Sequence, residues 1–468
     1  MGFNFHRQQP NYLAPYSMLL CELCDSVVHS SSILQEQVFE QQNNLSISTN
    51  MVAIVITSYG TLGDNLPLVA LGQTLKLRGH QVLMAIGEPM QPYAIKAGLE
   101  VVSNGRLPIG QEEAQEDPQA WNHLSGNRES TDEDIGEMFW EHLVEGVPAI
   151  LAACREADLL ISTPQQDMVA AITHEKLGIP WISVSVTPSL HCLERKQKKT
   201  PHTKNKLSDS NQPSLGEQMR QMVREIRLSL DLVELSHQQW EQYHQCDRLI
   251  LASSAHFSQP TAAYSQAVQT GFWFYEAPEW SSWQPERNLR EFMEQEPKPL
   301  VLSFSSQPLE DSRSVVEVHV RAAANLGHPI LIQQGWADFN EEHLPPDCDR
   351  NQVMFAGFMP QDWLFSRAAA LIHHGGIGTT ARALRNGCPM LVEPYGNDQF
   401  FNAKQIVLHG IGAAMHPMRL QVDEVTRVLQ DKVLTPDYKQ RAEILSAKIR
   451  QEAGLETACN LIESWKYG

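Results

Sequence analysis

From Met51 onward, apolar residues alternate between short unbroken runs and stretches with helical spacing. Val52–Ile56 is apolar throughout and β-branched, the pattern of a strand buried on both faces. A loop follows over 57–65. Leu66, Val69, Ala70, Leu71, Leu75 and Leu77 then recur at the spacing of one helix face, and Gly79 after Arg78 is the residue favoured just past a helix end. Residues 81–86 form the next apolar run. The same unit returns as a strand over 157–162, a helix over 169–177 and a strand over 181–185. It restarts at Leu300, with strands over 300–304 and 329–333 around a helix over 315–326. A strand over 369–373 then leads into a helix over 381–386. Such alternation predicts an α/β chain with two doubly wound parallel sheets, each covered by helices on both faces. Ligands of such sheets bind beyond the carboxyl ends of the strands, here in the cleft between two halves.

Three stretches break this rhythm. Residues 1–50 are rich in Gln, Asn, Ser and His and read as a poorly ordered extension. Residues 111–145 are acidic and polar. Residues 194–215 carry Arg195, Lys196, Lys198, Lys199, Lys204 and Lys206, either as a solvated loop or as a contact for an anionic surface. A Pro- and Trp-rich segment over 277–285, followed by Pro297 and Pro299, reads as a linker. The expected division is an extension over 1–50, a first half over 51–277, a linker over 278–299 and a second half over 300–468. The last helix of the second half is free to pack back on the first.

A length of 468 residues suits two domains, and 42% hydrophobic with 19% charged residues is a globular composition. The formal net charge of -19 disfavours general binding to nucleic acid but leaves room for a local diphosphate site. The eight cysteines are scattered. Cys21 and Cys24 form one C-x-x-C pair with no second pair at zinc spacing, so a reducing compartment without a metal site is expected. No apolar run is long enough to cross a bilayer, Glu22 and Asp25 interrupt the start, and His6 does not fit a myristoylation signal. A cytoplasmic protein is expected, with peripheral membrane contact left open.

The strongest local signal is His373-His-Gly-Gly-Ile-Gly-Thr-Thr380, placed between an apolar strand and a helix. Gly375, Gly376 and Gly378 allow close approach of the backbone to a ligand, and a helix N-terminus offers unpaired N–H groups to an anion. His374, Thr379 and Thr380 add donors for phosphate oxygens. A plain glycine-rich turn with a core histidine fits the same residues. Downstream, Asp398 and Gln399 follow another strand, where a carboxylate beside an amide can grip neighbouring sugar hydroxyls or simply close a turn.

Together, His374-Gly-Gly-x-Gly-Thr-Thr, Ala383-Leu-Arg-x-Gly-x-Pro389 and Pro394-x-x-x-Asp398-Gln399-x-x-Asn402-Ala403 resemble the donor-binding signature of the UDP-glycosyltransferase family. The sterol and antibiotic-aglycone branch is the most similar in its Pro360–Phe365, Gly335-Trp336, Thr270–Phe274 and Gly60–Pro67 segments. The resemblance runs from about Met51 to the C-terminal helix, apart from the two polar insertions. It implies a GT-B fold of two Rossmann-like domains, and inverting transfer with neither cofactor nor obligatory metal. The nucleotide sugar would be a co-substrate.

The resemblance also assigns roles. Asp64 is the expected base, unless it merely caps the helix that begins near Pro67. His374, Gly376, Gly378, Thr379, Thr380 and Ser306 are the expected diphosphate contacts. Asp398 and Gln399 would hold the donor sugar, and Trp363 and Met359 would lie on the nucleobase side. Two departures stand out: many relatives carry a His at the Asp64 position, and Ser305 stands where relatives often have Gly.

The expected activity is transfer of a hexose, UDP-glucose being the leading donor and a dTDP-sugar the other, to a hydroxyl of a small lipophilic acceptor. Trp121, Phe139, Trp140, Leu190 and Trp240 are candidates for an apolar acceptor pocket or for core packing. The alternatives are a catalytically silent helper of the same fold, or a sugar-nucleotide epimerase or hydrolase.

Overall fold

The computed structural model describes residues 51–105, 115, 132–192, 214–243, 245–246 and 248–465. The extension over 1–50, Trp121 and residues 194–213 of the basic stretch over 194–215 lie outside the described residues. Both sheets belong to one compact unit, Met51–Gly468.

The first sheet contains β1 (Ala53–Thr57), β2 (Gln81–Ala85), β3 (Glu100–Val102), β4 (Leu159–Ser162), β5 (Trp181–Ser185), β6 (Leu249–Leu251) and β7 (Val268–Gln269). Their order is β3-β2-β1-β4-β5-β6-β7, and every pairing is parallel. The second contains β8 (Leu300–Ser303), β9 (Ile330–Gln333), β10 (Val353–Ala356), β11 (Ala370–His373), β12 (Met390–Val392) and β13 (Gly412–Ala414). It runs β10-β9-β8-β11-β12-β13, again all parallel. The order reverses beside β1 in one sheet and beside β8 in the other, and such switch points open crevices at the carboxyl ends.

Helices of nine residues or more are labelled α1 (Leu62–Leu77), α2 (Asp132–Ala153), α3 (Asp167–Leu177), α4 (Leu215–Ser229), α5 (Ser312–Leu326), α6 (Ile377–Arg385), α7 (Gln399–Leu408), α8 (Pro436–Ile449) and α9 (Gly454–Trp465). The alternation of side chains along each strand feeds two cores per sheet. Ile54 and Ile56 face the core under α1, whereas Val55 faces the core under α2 and α3. Leu300 and Leu302 face one side of the second sheet, and Val301 the other.

Residues 132–145 of the acidic insertion form the start of α2. The segment expected as a linker holds a short helix, Arg287–Met293, whose Phe292 and Met293 are buried in the core of the second sheet. The last described helix, α9, packs on α1. Ala458, Cys459 and Ile462 join the first sheet's core, and Arg78 Nη1 donates to Asn460 Oδ1 at 2.7 Å and to Glu463 Oε2 at 2.9 Å. Gly454 allows this crossing, because a Cβ there would lie 2.6 Å from the Phe272 carbonyl oxygen.

Candidate active site

The carboxyl ends of both sheets open onto one cavity of about 520 Å³, a size suited to a small-molecule site. Asp64 lines it from the first sheet. The helix starts at Leu62, earlier than the spacing of apolar residues suggests, because Thr61 and Asp64 form a capping box. The Thr61 N–H donates to Asp64 Oδ2 at 3.0 Å. Gly60, at φ +125°, gives the carboxylate its space, since a Cβ there would lie 2.3 Å from Asp64 Oδ2. Asp64 therefore caps its helix and lines the cavity at once. Burial pushes its pKa up to about 6, against the lowering effect of its hydrogen bonds to Thr61.

Across the cavity, Gly376 caps α6. A Cβ on Gly376 would lie 2.4 Å from His374 Nε2, and one on Gly378 would lie 3.7 Å from Gly63 Cα. The first turns of α1 and α6 thus meet at two glycines, so the backbone N–H groups of both turns lie beside the same space. His374 lines this space with its ring 6.1 Å from that of Phe304. Burial lowers its pKa to about 4, so the imidazole is neutral near pH 7. Ser306 also lines the cavity, and its hydroxyl donates to Thr61 Oγ1 at 3.4 Å, joining the two halves.

Thr379 lines the cavity, whereas Thr380 does not serve as the expected donor. Its hydroxyl is spent on its own helix, donating to the Gly376 carbonyl at 2.9 Å. Asp398 and Gln399 both line the cavity at the start of α7. Asn402 Nδ2 donates to Asp398 Oδ2 at 2.8 Å and to the Gly375 carbonyl at 2.9 Å, tying the carboxylate loop to the glycine loop. Burial, and then the charge of Asp64, push the Asp398 pKa up to about 7.

Trp363 and Met359 are not among the residues lining the cavity. Met359 is buried in the core of the second sheet, and Trp363 packs edge-on against Trp283 at 5.3 Å beneath the Arg367 guanidinium. Phe358, Gln361 and Trp280 line the cavity. Of the apolar acceptor candidates, Leu190 lines the cavity, while Phe139 and Trp240 pack against the core under α2 and α3.

Arg382 is one of the residues that no sequence pattern singled out. Arg382 lines the cavity with its side chain buried, bonds Glu276 at 2.8 Å, and also holds Asp362 and the Tyr275 carbonyl. Its guanidinium lies 5.0 Å from the Phe274 ring centre, so a fixed cation ties α6 to the segment joining the halves.

Comparison with known proteins bears on this geometry. Residues 320–459 match the family model for the C-terminal domain of erythromycin biosynthesis protein CIII-like proteins. The chain is 28% identical over 433 residues to the O-mycaminosyltylonolide 6-deoxyallosyltransferase of Streptomyces fradiae, covering 88% of this chain and 97% of that one. It is 26% identical over 459 residues to a sterol 3-beta-glucosyltransferase of Debaryomyces hansenii, covering 93% of this chain but spanning only 28% of that longer protein. Among solved structures, the glycotransferase of kitacinnamycin superposes with a TM-score of 0.68 at 18% identity, over 89% of this chain and 99% of that one. The calicheamicin glycosyltransferase CalG4 superposes with a TM-score of 0.66 at 15% identity, over 89% and 98%. The chain has the GT-B fold and is similar in sequence to these glycosyltransferases. In this GT-B fold, the residues expected to contact the diphosphate and the sugar in the second half, and Asp64 of the first, lie around one cavity, except for Thr380.

Proposed function

We propose that the protein is an inverting glycosyltransferase that moves a hexose from a nucleoside-diphosphate sugar, UDP-glucose first among them, to a hydroxyl of a small lipophilic acceptor. The observation that carries this reading is the meeting of Asp64 and the glycine-rich turn of α6 around one cavity, with Gly63 against Gly378. The acceptor hydroxyl must lose a proton as its oxygen attacks the anomeric carbon, and Asp64 accepts that proton. The C–O bond to the diphosphate breaks as the new glycosidic bond forms. The departing charge falls to the N–H groups at the start of α6, to Thr379 and Ser306, and to neutral His374 through whichever ring nitrogen carries its hydrogen. Asp398 and Gln399 hold the sugar. Apolar walls from Leu62, Leu66, Met90 and Leu190 suit a lipophilic acceptor. The names of the relatives support the same class.

Purified protein incubated with UDP- and dTDP-sugars and mixed lipophilic alcohols should release nucleoside diphosphate only when an acceptor is present, as read by mass spectrometry. Release without acceptor would mark a hydrolase. Donor binding with no release across the panel would mark a silent helper, and either result overturns the reading.

Gly376→Ala tests the diphosphate site separately. The new methyl group displaces the His374 ring or the turn itself, so donor KM should rise about tenfold, equivalent to roughly 1.4 kcal/mol. Thermal unfolding should stay near that of the parent protein. An unchanged donor KM would remove the turn from the proposed site.

A further inference from the structure

The loop after β8 brings an amide to the cavity that the proposed transfer leaves without a role. Ser305, at φ +48°, turns the chain there, and Gly335 fits against it, because a Cβ on Gly335 would lie 2.7 Å from the Ser305 carbonyl oxygen. The turn carries Ser306 and the buried Gln307 onto the cavity wall. Gln307 Nε2 donates to the Pro308 carbonyl at 3.0 Å, and Gln307 Oε1 accepts from Gln399 Nε2 at 3.1 Å. The other end of Gln399 is also held. Its Oε1 accepts from the N–H of Tyr395 at 2.7 Å and of Gly396 at 3.1 Å.

These contacts fix the polarity of both amides. Turning Gln307 over would set its oxygen against the Pro308 carbonyl and its nitrogen against the nitrogen of Gln399. Turning Gln399 over would set its nitrogen against two backbone N–H groups. Each amide carries one carbonyl and two N–H bonds. The carbonyl of Gln399 is closed by two donors and one of its N–H bonds goes to Gln307. What Gln399 presents to the cavity is therefore an N–H and never an oxygen, beside the carboxylate of Asp398.

Resting on the transfer reading above, we infer that Gln307 is a positioning residue for the donor sugar. It acts through Gln399, holding that amide so that its remaining N–H meets the oxygen of a sugar hydroxyl next to the hydroxyl held by Asp398. The residue does not touch the diphosphate or the nucleobase. Its loss should weaken recognition of the sugar alone.

The test is a double-mutant cycle on the full chain, with Gln307→Met, Gln399→Met and the double variant titrated calorimetrically with UDP-glucose, dTDP-glucose and the two free nucleoside diphosphates. In Gln307→Met, affinity for free diphosphate should stay within about twofold, while the sugar nucleotide should weaken roughly tenfold relative to it. The double variant should bind the sugar nucleotide no more than about twofold worse than Gln399→Met alone, because both changes remove one grip. Gln307→Glu keeps an oxygen facing Gln399 and should recover part of the loss.

Additive losses, or equal weakening of free diphosphate and sugar nucleotide, would overturn the positioning role while leaving the transferase reading intact. If the parent protein binds none of the four ligands, both fall together. Melting temperatures of the four proteins separate a folding defect from a binding one.

Discussion

Asp64→Asn is expected to lower turnover by about 10²–10⁴-fold, the usual contribution of a positioned general base, while donor binding stays close to that of the parent protein. The substitution keeps an oxygen able to accept the Thr61 N–H, which the parent carboxylate accepts at 3.0 Å, so the start of α1 should hold. It also removes a charge that burial disfavours. The folded-state pKa of Asp64 is raised to about 6 from an ordinary 3.8, so the native protein takes up a proton at a pH where the unfolded chain has lost it. Stability from this group is full below about pH 4 and declines as the pH rises towards 6. The Asn variant should therefore unfold at least as late as the parent at pH 8. A loss of turnover accompanied by an equal loss of stability would point to capping alone. Full turnover in Asp64→Asn would sink the catalytic role.

The same burial shapes the pH profile. A base must be unprotonated to act, and Asp64 shares its cavity with Asp398, whose pKa is raised to about 7 by burial and by the charge of Asp64. The two carboxylates titrate as a pair, so apparent values near 6 and 7 belong to both. Turnover should fall as the pH drops through this range, well above the range of an ordinary aspartate. In Asp398→Asn the fall should shift to lower pH, since one negative charge is gone. An activity that stays flat down to pH 5 would contradict the assignment of Asp64 as the base.

Strands and helices of this protein were legible because parallel strands buried on both faces are unbroken apolar runs, and the helices between them carry one apolar stripe. Val52–Ile56 and Pro329–Gln333 read as strands, and β1 and β9 lie within one residue of these bounds. The glycine turn after β11 was legible for a different reason, since three glycines around one position leave few backbone alternatives. What stayed hidden were choices made by single hydrogen bonds. The Thr61-x-x-Asp64 box moved the start of α1 back by several residues, although the pair is visible in the sequence. Thr380 bonds its own helix, as threonine does when it lies within reach of a carbonyl four residues earlier. Met359 lies in the core of the second sheet and Trp363, half-buried on the short helix Gln361–Phe365, packs against that core, a packing that no local pattern encodes. Gln307 carried no signal at all, since its role depends on Gln399, ninety-two positions away. The cavity therefore draws its chemistry from local motifs and its orientation from contacts between distant loops.

A second large effect is expected at a pair outside the cavity. His319 of α5 and Glu393, just past β12, are both fully buried, with His319 Nε2 2.7 Å from Glu393 Oε1 and His319 Nδ1 2.7 Å from the Val315 carbonyl oxygen. Burial opposes charge on the imidazole, but the charge and hydrogen bond of Glu393, aided by the Val315 carbonyl, outweigh it and raise the His319 pKa above 6.5. His319→Leu strands Glu393 without its partner and should cost about 3–5 kcal/mol, lowering the melting temperature by on the order of 5–10 °C. Adding Glu393→Met should restore most of that loss, because two apolar groups of similar volume replace the pair.

The pair also sets a pH trend. A histidine whose folded pKa is raised gives its full stabilisation below the unfolded value near 6.5 and loses it as the pH rises through the folded value. The stability advantage of the parent over the double variant should accordingly shrink between pH 6 and pH 9, as followed by thermal unfolding. Because the Glu393 N–H also donates to the His373 carbonyl at 2.9 Å, the pair supports the base of the glycine turn. His319→Leu should then raise donor KM even at temperatures where the protein stays folded. A variant with parent-like stability at every pH would show that the pair is uncharged and replaceable, and that the turn stands without it.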